Sequence, residues 1–357
     1  MVGLKLQWWR ISFQLIEFMW KPVRVVSANF LERIGEPASR FYSDYLAYRS
    51  GDISQSELIA RLPHVAMVGD SACMGVHISS TWGTLWRAQS CRGNNWFLDA
   101  DPSPSGIRSV SKRLEEFTPF VAFECAGIGA LVDREDQTLN FLRRILRTHN
   151  LSGQVSNLLT MKRFPDLILI SIGHNNVDWA WQSPANELEQ PEARLIRQSR
   201  EFREDFTRQI RLLINRARAE RHRVGIVAFG LVNFESYFRG REVAERLRAD
   251  DASRYPHLET TYKYFTSFRP AYRSNLIRLA QMVNEELRAT VGDLDGELAD
   301  NMTVQLRYSD ALATADLSRA ELLHPIDGWH ASVEGHNVLA EAVFRDLRTS
   351  LEFLGLT

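Results

Sequence analysis

Five short apolar runs, spaced by stretches of helical periodicity, constrain the fold of this chain more than any other feature. The runs cover residues 64–68, 120–126, 166–172 and 224–229, with a weaker one at 303–306. Each is too short for a buried helix and is rich enough in Val, Ile, Leu and Phe to read as a strand buried on both faces. Helical patterns lie between them, for example at 137–147, 200–218 and 274–290. Parallel strands need crossovers of a dozen or more residues, and helices filling those crossovers cover both faces of the sheet. The expected architecture is therefore α/β: a three-layer α/β/α sandwich around a central parallel sheet of about five strands. In such sheets, chemistry is placed outside the carboxyl ends of the strands.

At 357 residues the chain can hold one large domain with extensions, or two domains. A formal net charge of −1 supplies no basic field for nucleic acid, and no nucleic-acid partner is expected. The basic run 216–223 is interrupted by Glu220 and reads as a solvated helix face. Three cysteines, Cys73, Cys91 and Cys125, leave at least one unpaired and exclude a disulfide framework. Cys125 lies in an apolar run and reads as a small core residue. Cys73 lacks a basic neighbour and reads as a bystander.

No apolar stretch reaches the roughly 18 to 20 residues of a membrane span. The segment 4–20 nevertheless has a wide apolar face that includes Trp8, Trp9, Phe13, Phe18 and Trp20. Gln7, Arg10, Gln14, Glu17 and Lys21 form a narrow polar stripe. Two readings of residues 1–21 carry equal weight. One is an interfacial helix contacting a membrane surface, with its tryptophans at headgroup depth. The other is a helix packed on the body of the protein or on a second subunit, as in a homo-oligomer. Interrupting charges and the lack of a small-residue cleavage site argue against a signal peptide. With the unpaired cysteines, they lean towards a cytoplasmic or peripheral membrane location.

Pro22 interrupts this first helix, and a second helical segment at 27–48 ends before Gly51-Asp52. Residues 1–60 are accordingly expected to form an N-terminal amphipathic helical extension, and residues 61–357 the body. Insertions near 81–108 and 233–273 break the β-α rhythm and are rich in aromatic residues. Both follow strands, so both should emerge beside the chemical edge of the sheet.

The first strand runs into Gly69-Asp70-Ser71. Serine is a weak nucleophile until a base takes its proton. His330 in Asp327-Gly328-Trp329-His330 is a candidate base, with Asp327 placed to hold its tautomer. No His/Cys/Asp cluster has zinc spacing, and Asp99-x-Asp101 is too sparse for calcium. No glycine-rich phosphate loop is present. No cofactor or metal is expected.

Four blocks then occur in a telling order: Gly69-Asp70-Ser71, Ala126-Gly127-Ile128-Gly129-Ala130, Ile172-Gly173-His174-Asn175-Asn176, and residues 327–332. Over residues 64–347 the chain resembles the SGNH (GDSL-type) hydrolases. The resemblance implies a flavodoxin-like fold, with Ser71 as nucleophile, His330 as general base and Asp327 orienting it. It also implies an oxyanion hole built from the Ser71 amide, the Gly129 amide and the Asn175 side chain. Acyl transfer builds negative charge on a carbonyl oxygen, which preorganised N–H donors stabilise. Gly127 competes with Gly129, whose register with the family pattern is better. Two positions depart from that pattern: Asn176 stands for an aspartate, and Glu124 for a frequent asparagine.

A narrower similarity, to the acyloxyacyl hydrolase branch, rests on His77-Ile78-Ser79, Trp82 and residues 324–330. Members of that branch remove secondary acyl chains from lipid A, but its calcium-binding and saposin-like portions are not evident here. His174 either lines the substrate pocket with Trp329 or satisfies a loop hydrogen bond. His324 would shape the final loop, and His336 would be structural. The leading expectation is a serine esterase acting on acyl esters of a lipid. An acyltransferase, a carbohydrate acetylesterase and a binding module with a decayed site are the alternatives.

Overall fold

The computed structural model describes residues 23–75, 93–99, 106–127, 129–132, 150–179, 191–256, 258, 272–298, 301–325 and 328–356. The N-terminal helix expected at 1–21, the helix expected at 137–147 and most of the 81–108 insertion lie outside these. Strands β1 (Val23–Val26), β2 (His64–Gly69), β3 (Val121–Glu124), β4 (Leu167–Ser171), β5 (Val224–Phe229) and β6 (Val304–Ser309) form one sheet. Their order is β1-β3-β2-β4-β5-β6. The pairs from β3 through β6 are parallel, whereas β1 lies antiparallel on the outside of β3. Without β1, the order is that of the flavodoxin-like doubly wound sheet.

All five apolar runs are strands. The three central ones, β2, β4 and β5, are buried along their whole length, which is why they read as continuous apolar segments. At the β6 edge buried and half-buried residues mix, and the corresponding sequence signal is weaker. The sixth strand, Val-Arg-Val-Val, was not foreseen. Four half-exposed or exposed residues on an antiparallel edge leave little periodicity to detect.

Helices cover the sheet in two groups. The long helix Pro191–Glu220 packs against Leu151–Leu159 and Arg273–Gly296, while Val333–Asp346 packs against Val110–Leu114 and Arg348–Leu354. A satellite core of Ile34, Phe41, Leu58 and Leu62 closes on Val121 and seats the N-terminal helices against the β1–β3 edge. The helical segment expected at 27–48 is two helices, Phe30–Ile34 and Tyr42–Ser50. Pro37 lies between them, and a proline disfavours helical backbone at the residue before it. Helix Gln55–Arg61 opens with a capping box between Ser54 and Glu57.

Two buried histidines give the fold a pH signature. His64 begins β2 beside the Phe123 ring, and burial pushes its pKa down to about 4. His336 lies in the helix Val333–Asp346, where burial, and then the charges of His330 and His324, lower its pKa to about 3. The unfolded chain protonates near pH 6.5 while the folded chain resists. Stability is therefore full above pH 6.5 and is lost as pH falls through the window down to these folded values. Each histidine is expected to add a slope of up to about 1.4 kcal/mol per pH unit. Urea unfolding at pH 7, 6 and 5 measures this. His336→Gln, whose side-chain oxygen can still accept the Trp96 N–H that His336 Nδ1 accepts, should flatten the slope. Equal slopes in both proteins would refute the assignment.

Candidate active site

The turn after β2 is shaped by close approach. A Cβ on Gly69 would lie 2.3 Å from the Ser171 carbonyl and 2.5 Å from Cys73 Sγ, so only glycine fits. Its peptide is gripped by Gln154, which accepts the Gly69 N–H at 2.7 Å and donates to the Gly69 carbonyl at 2.8 Å. The chain then enters a single helical turn, Ser71–Cys73, capped by Asp70. Ser71 is buried but for 7% of its surface, and Asp70 is fully buried.

The Asp70 carboxylate is the hub of the sheet edge. It accepts the Ala72 N–H at 3.0 Å, the Gly173 and His174 N–H groups at 3.1 Å each, and His174 Nδ1–H at 3.0 Å. His174 Nε2 accepts the Val232 N–H at 3.1 Å. One imidazole in a single tautomer thus joins the turns following β2, β4 and β5. The β2 and β4 turns flank the point where strand order reverses, which is where doubly wound sheets bind ligands.

The second and third blocks face each other next to this hub. Gly129 has φ +71°, a conformation glycine adopts without strain. The Gly127 N–H donates to the Gly69 carbonyl at 3.0 Å. Asn175 Nδ2 donates to the Ala130 carbonyl at 3.0 Å. Asn176 accepts the Val132 N–H at 2.9 Å and donates to the Val132 carbonyl at 2.6 Å. A carboxylate there could accept but not donate, so the amide is the group that can make both bonds. Glu124, the other departure from the family pattern, is fully buried and accepts from Gly93 N–H and Asn95 Nδ2. It thereby fixes the described part of the first insertion, and Trp96 Nε1 from that segment donates to the Ala72 carbonyl.

In the last block, Asp327 lies outside the described residues. Among the described residues of this block and those before it, Gly328 N–H donates to the His324 carbonyl and His324 N–H to the His330 carbonyl. His330 and Trp329 are half-buried. Trp329 stacks on Phe234, with centroids 6.1 Å apart, and meets Tyr237 edge-on at 4.9 Å. Both partners lie on the helix Phe234–Asp250, which opens the second insertion. A largely apolar pocket brings together Ala72, His174, Val232, Tyr237, Trp329 and His330. Sequence reading named His174, Trp329 and His330 but missed Val232 and Tyr237. Their one signal was membership of the aromatic-rich stretch after β5, or closeness to it. Among the described residues, no group of three or more His, Cys, Asp or Glu could hold a metal ion, and no helix is long and apolar enough to cross a membrane.

With these blocks at the carboxyl edge of a flavodoxin-like sheet, the match to a family sequence profile supports an esterase- or lipase-type hydrolase. The chain belongs to the GDSL-like lipase/acylhydrolase family, whose sequence profile matches residues 65–343. None of the curated proteins matches it. Two solved structures align with 81% of this chain and 99% of their own at 13% identity. One, at a TM-score of 0.44, is a phospholipase A1 from Streptomyces albidoflavus NA297. The other has a TM-score of 0.41.

Proposed function

We propose that the protein is a serine carboxylic ester hydrolase acting on acyl esters of a lipid, with Ser71 as nucleophile and His330 as general base. The observation that carries this reading is the pocket shared by His330 and Ala72, the residue after Ser71, at the reversal point of the sheet. In the first half-reaction Ser71 Oγ attacks the ester carbonyl and its proton passes to His330, whose imidazolium Asp327 would stabilise. The tetrahedral oxyanion is met by the Ser71 N–H, the Gly129 N–H and Asn175 Nδ2. Gly127 is the weaker candidate, because its N–H already donates to the Gly69 carbonyl. Asn175 spends one amide proton on Ala130, which fixes the side chain and leaves the second proton for the substrate. Collapse expels the alcohol with the proton from His330. Water then attacks the acyl-enzyme, His330 takes its proton, and the carboxylic acid leaves as Ser71 is restored.

The apolar pocket lining, which includes Leu317, Leu323 and Leu339, supports an acyl chain rather than a sugar as the neighbour of the reacting carbonyl. The test is hydrolysis of p-nitrophenyl esters from acetate to palmitate, with an alkyl fluorophosphonate located by peptide mass. Turnover rising with chain length and a label on Ser71 are expected. Preference for acetate would redirect the substrate to carbohydrate esters, and a label elsewhere would reject the nucleophile.

A further inference from the structure

We infer that Arg241 is a positioning residue for His330: it holds the Gly328 carbonyl and thereby aims the loop that carries the base. The inference rests on the reading of Ser71 and His330 given above. Arg241 lies in the helix Phe234–Asp250 and has no exposed surface at all. Burying a guanidinium is costly, and an apolar side chain of similar volume usually packs such a site at least as well. What an apolar side chain cannot supply is directed donors.

Both terminal nitrogens of Arg241 donate to backbone carbonyls. Nη1 donates to the Gly328 carbonyl at 3.2 Å and Nη2 to the Leu258 carbonyl at 3.1 Å. The Tyr237 hydroxyl donates to the same Gly328 carbonyl at 2.8 Å. Gly328 also lies close against the Leu258 side chain. A Cβ on Gly328 would lie 2.3 Å from Leu258 Cδ1, and Gly328 holds φ +58°. A glycine in that conformation is the joint at which the loop can most readily turn. Two donors converging on its carbonyl fix the plane of the Gly328–Trp329 peptide. Rotation of that plane would lift Trp329 off Phe234 and displace His330, two residues on.

The guanidinium is itself braced. Arg241 Nε reaches Glu245 at 3.3 Å, and Glu245 also takes Arg273 at 2.6 Å. Arg273 pairs with Glu242 and lies 5.3 Å over the Phe238 ring. The bracing therefore extends to the helix Arg273–Gly296, so the clamp is held by two helices rather than by the loop it positions.

The test compares Arg241→Met, Arg241→Lys and Tyr237→Phe in the full-length protein, using a p-nitrophenyl ester and the alkyl fluorophosphonate. A misplacement of about 1 Å costs on the order of 100-fold in rate. Arg241→Met is expected to lower kcat by about that factor with KM within roughly threefold, and to slow labelling of Ser71 per active site in parallel. Arg241→Lys, which keeps a charged donor, should recover about tenfold of that loss. Tyr237→Phe keeps the Arg241 bond and should lose roughly three- to tenfold.

Active sites are counted by the stoichiometry of labelling, so a smaller folded fraction is not mistaken for slower chemistry. A loss confined to that stoichiometry, with the rate per site intact, would overturn the inference. If Arg241→Met does not fold, an unchanged kcat in both Arg241→Lys and Tyr237→Phe would overturn it as well. Residual turnover in Ser71→Ala would instead strike the underlying reading, independently of what the Arg241 variants do.

Discussion

Ser71→Ala, His330→Ala and the double variant are each expected to lower kcat by roughly 10⁴- to 10⁶-fold, with the double no slower than the worse single. On the proposed mechanism, nucleophile and base act as one unit: without the base the hydroxyl keeps its proton, and without the hydroxyl the base has nothing to activate. What survives is the contribution of oxyanion donors and substrate binding, about 10³- to 10⁴-fold over water in comparable sites. Ser71→Ala removes one hydroxyl and leaves Asp70 and its partners intact, so the unfolding free energy should stay within about 0.5 kcal/mol of the parent. Steady-state kinetics on one p-nitrophenyl ester, with urea unfolding alongside, measures both effects. A double variant whose loss is the product of the two single losses would show that Ser71 and His330 act independently, which would reject the mechanism.

The fold was legible where burial is continuous. Strands β2, β4 and β5 are enclosed on both faces, so their sequences carry unbroken apolar runs bounded by turns. The helix Pro191–Glu220 extends beyond the periodic stretch at 200–218, and Arg273–Gly296 beyond 274–290. Their amphipathic centres declare themselves, and helix ends are set by caps and neighbours. β1 was invisible because its partner, β3, lies about a hundred residues away in the chain. Four residues of mixed polarity say nothing about such pairing until the edge they complete is known.

The candidate site was legible where its turns are local. Gly-Asp-Ser after a buried strand states its own turn, and the positive φ of Gly129 and Gly328 agrees with glycine at those positions. The connections between blocks could not be read. Asp70 to His174, His174 to Val232, Asn176 to Val132 and Glu124 to Asn95 all join residues far apart in sequence. Each depends on which turns the strand order makes neighbours. Arg241 is the extreme case: in sequence it is one of several arginines on a polar helix, yet it is wholly buried against Gly328. Buried polar groups are specified by partners, and the partners become visible only with the topology.

The Asp70 hub makes the second large effect a matter of stability. Asp70→Ala is expected to cost about 3–5 kcal/mol, because it removes a buried acceptor and strands the donors that converge on it. Of those donors, Ala72 N–H is half-buried, whereas Gly173 N–H, His174 N–H and His174 Nδ1–H are buried and would have no water to turn to. Domains hold only about 5–15 kcal/mol in total, so the loss should be plain as a lower urea midpoint with an unchanged m value. Asp70→Asn is the informative companion. Its oxygen can still serve some of the donors, but its NH₂ would face others, so an intermediate loss of about 1–3 kcal/mol is expected. Activity should fall in both, in step with how far the turns after β2 and β4 separate. If Asp70→Asn proves as stable as the parent yet inactive, the carboxylate charge rather than the hydrogen-bond hub is what the site requires. Asp70 would then act on the chemistry through its field, not by holding the two turns together.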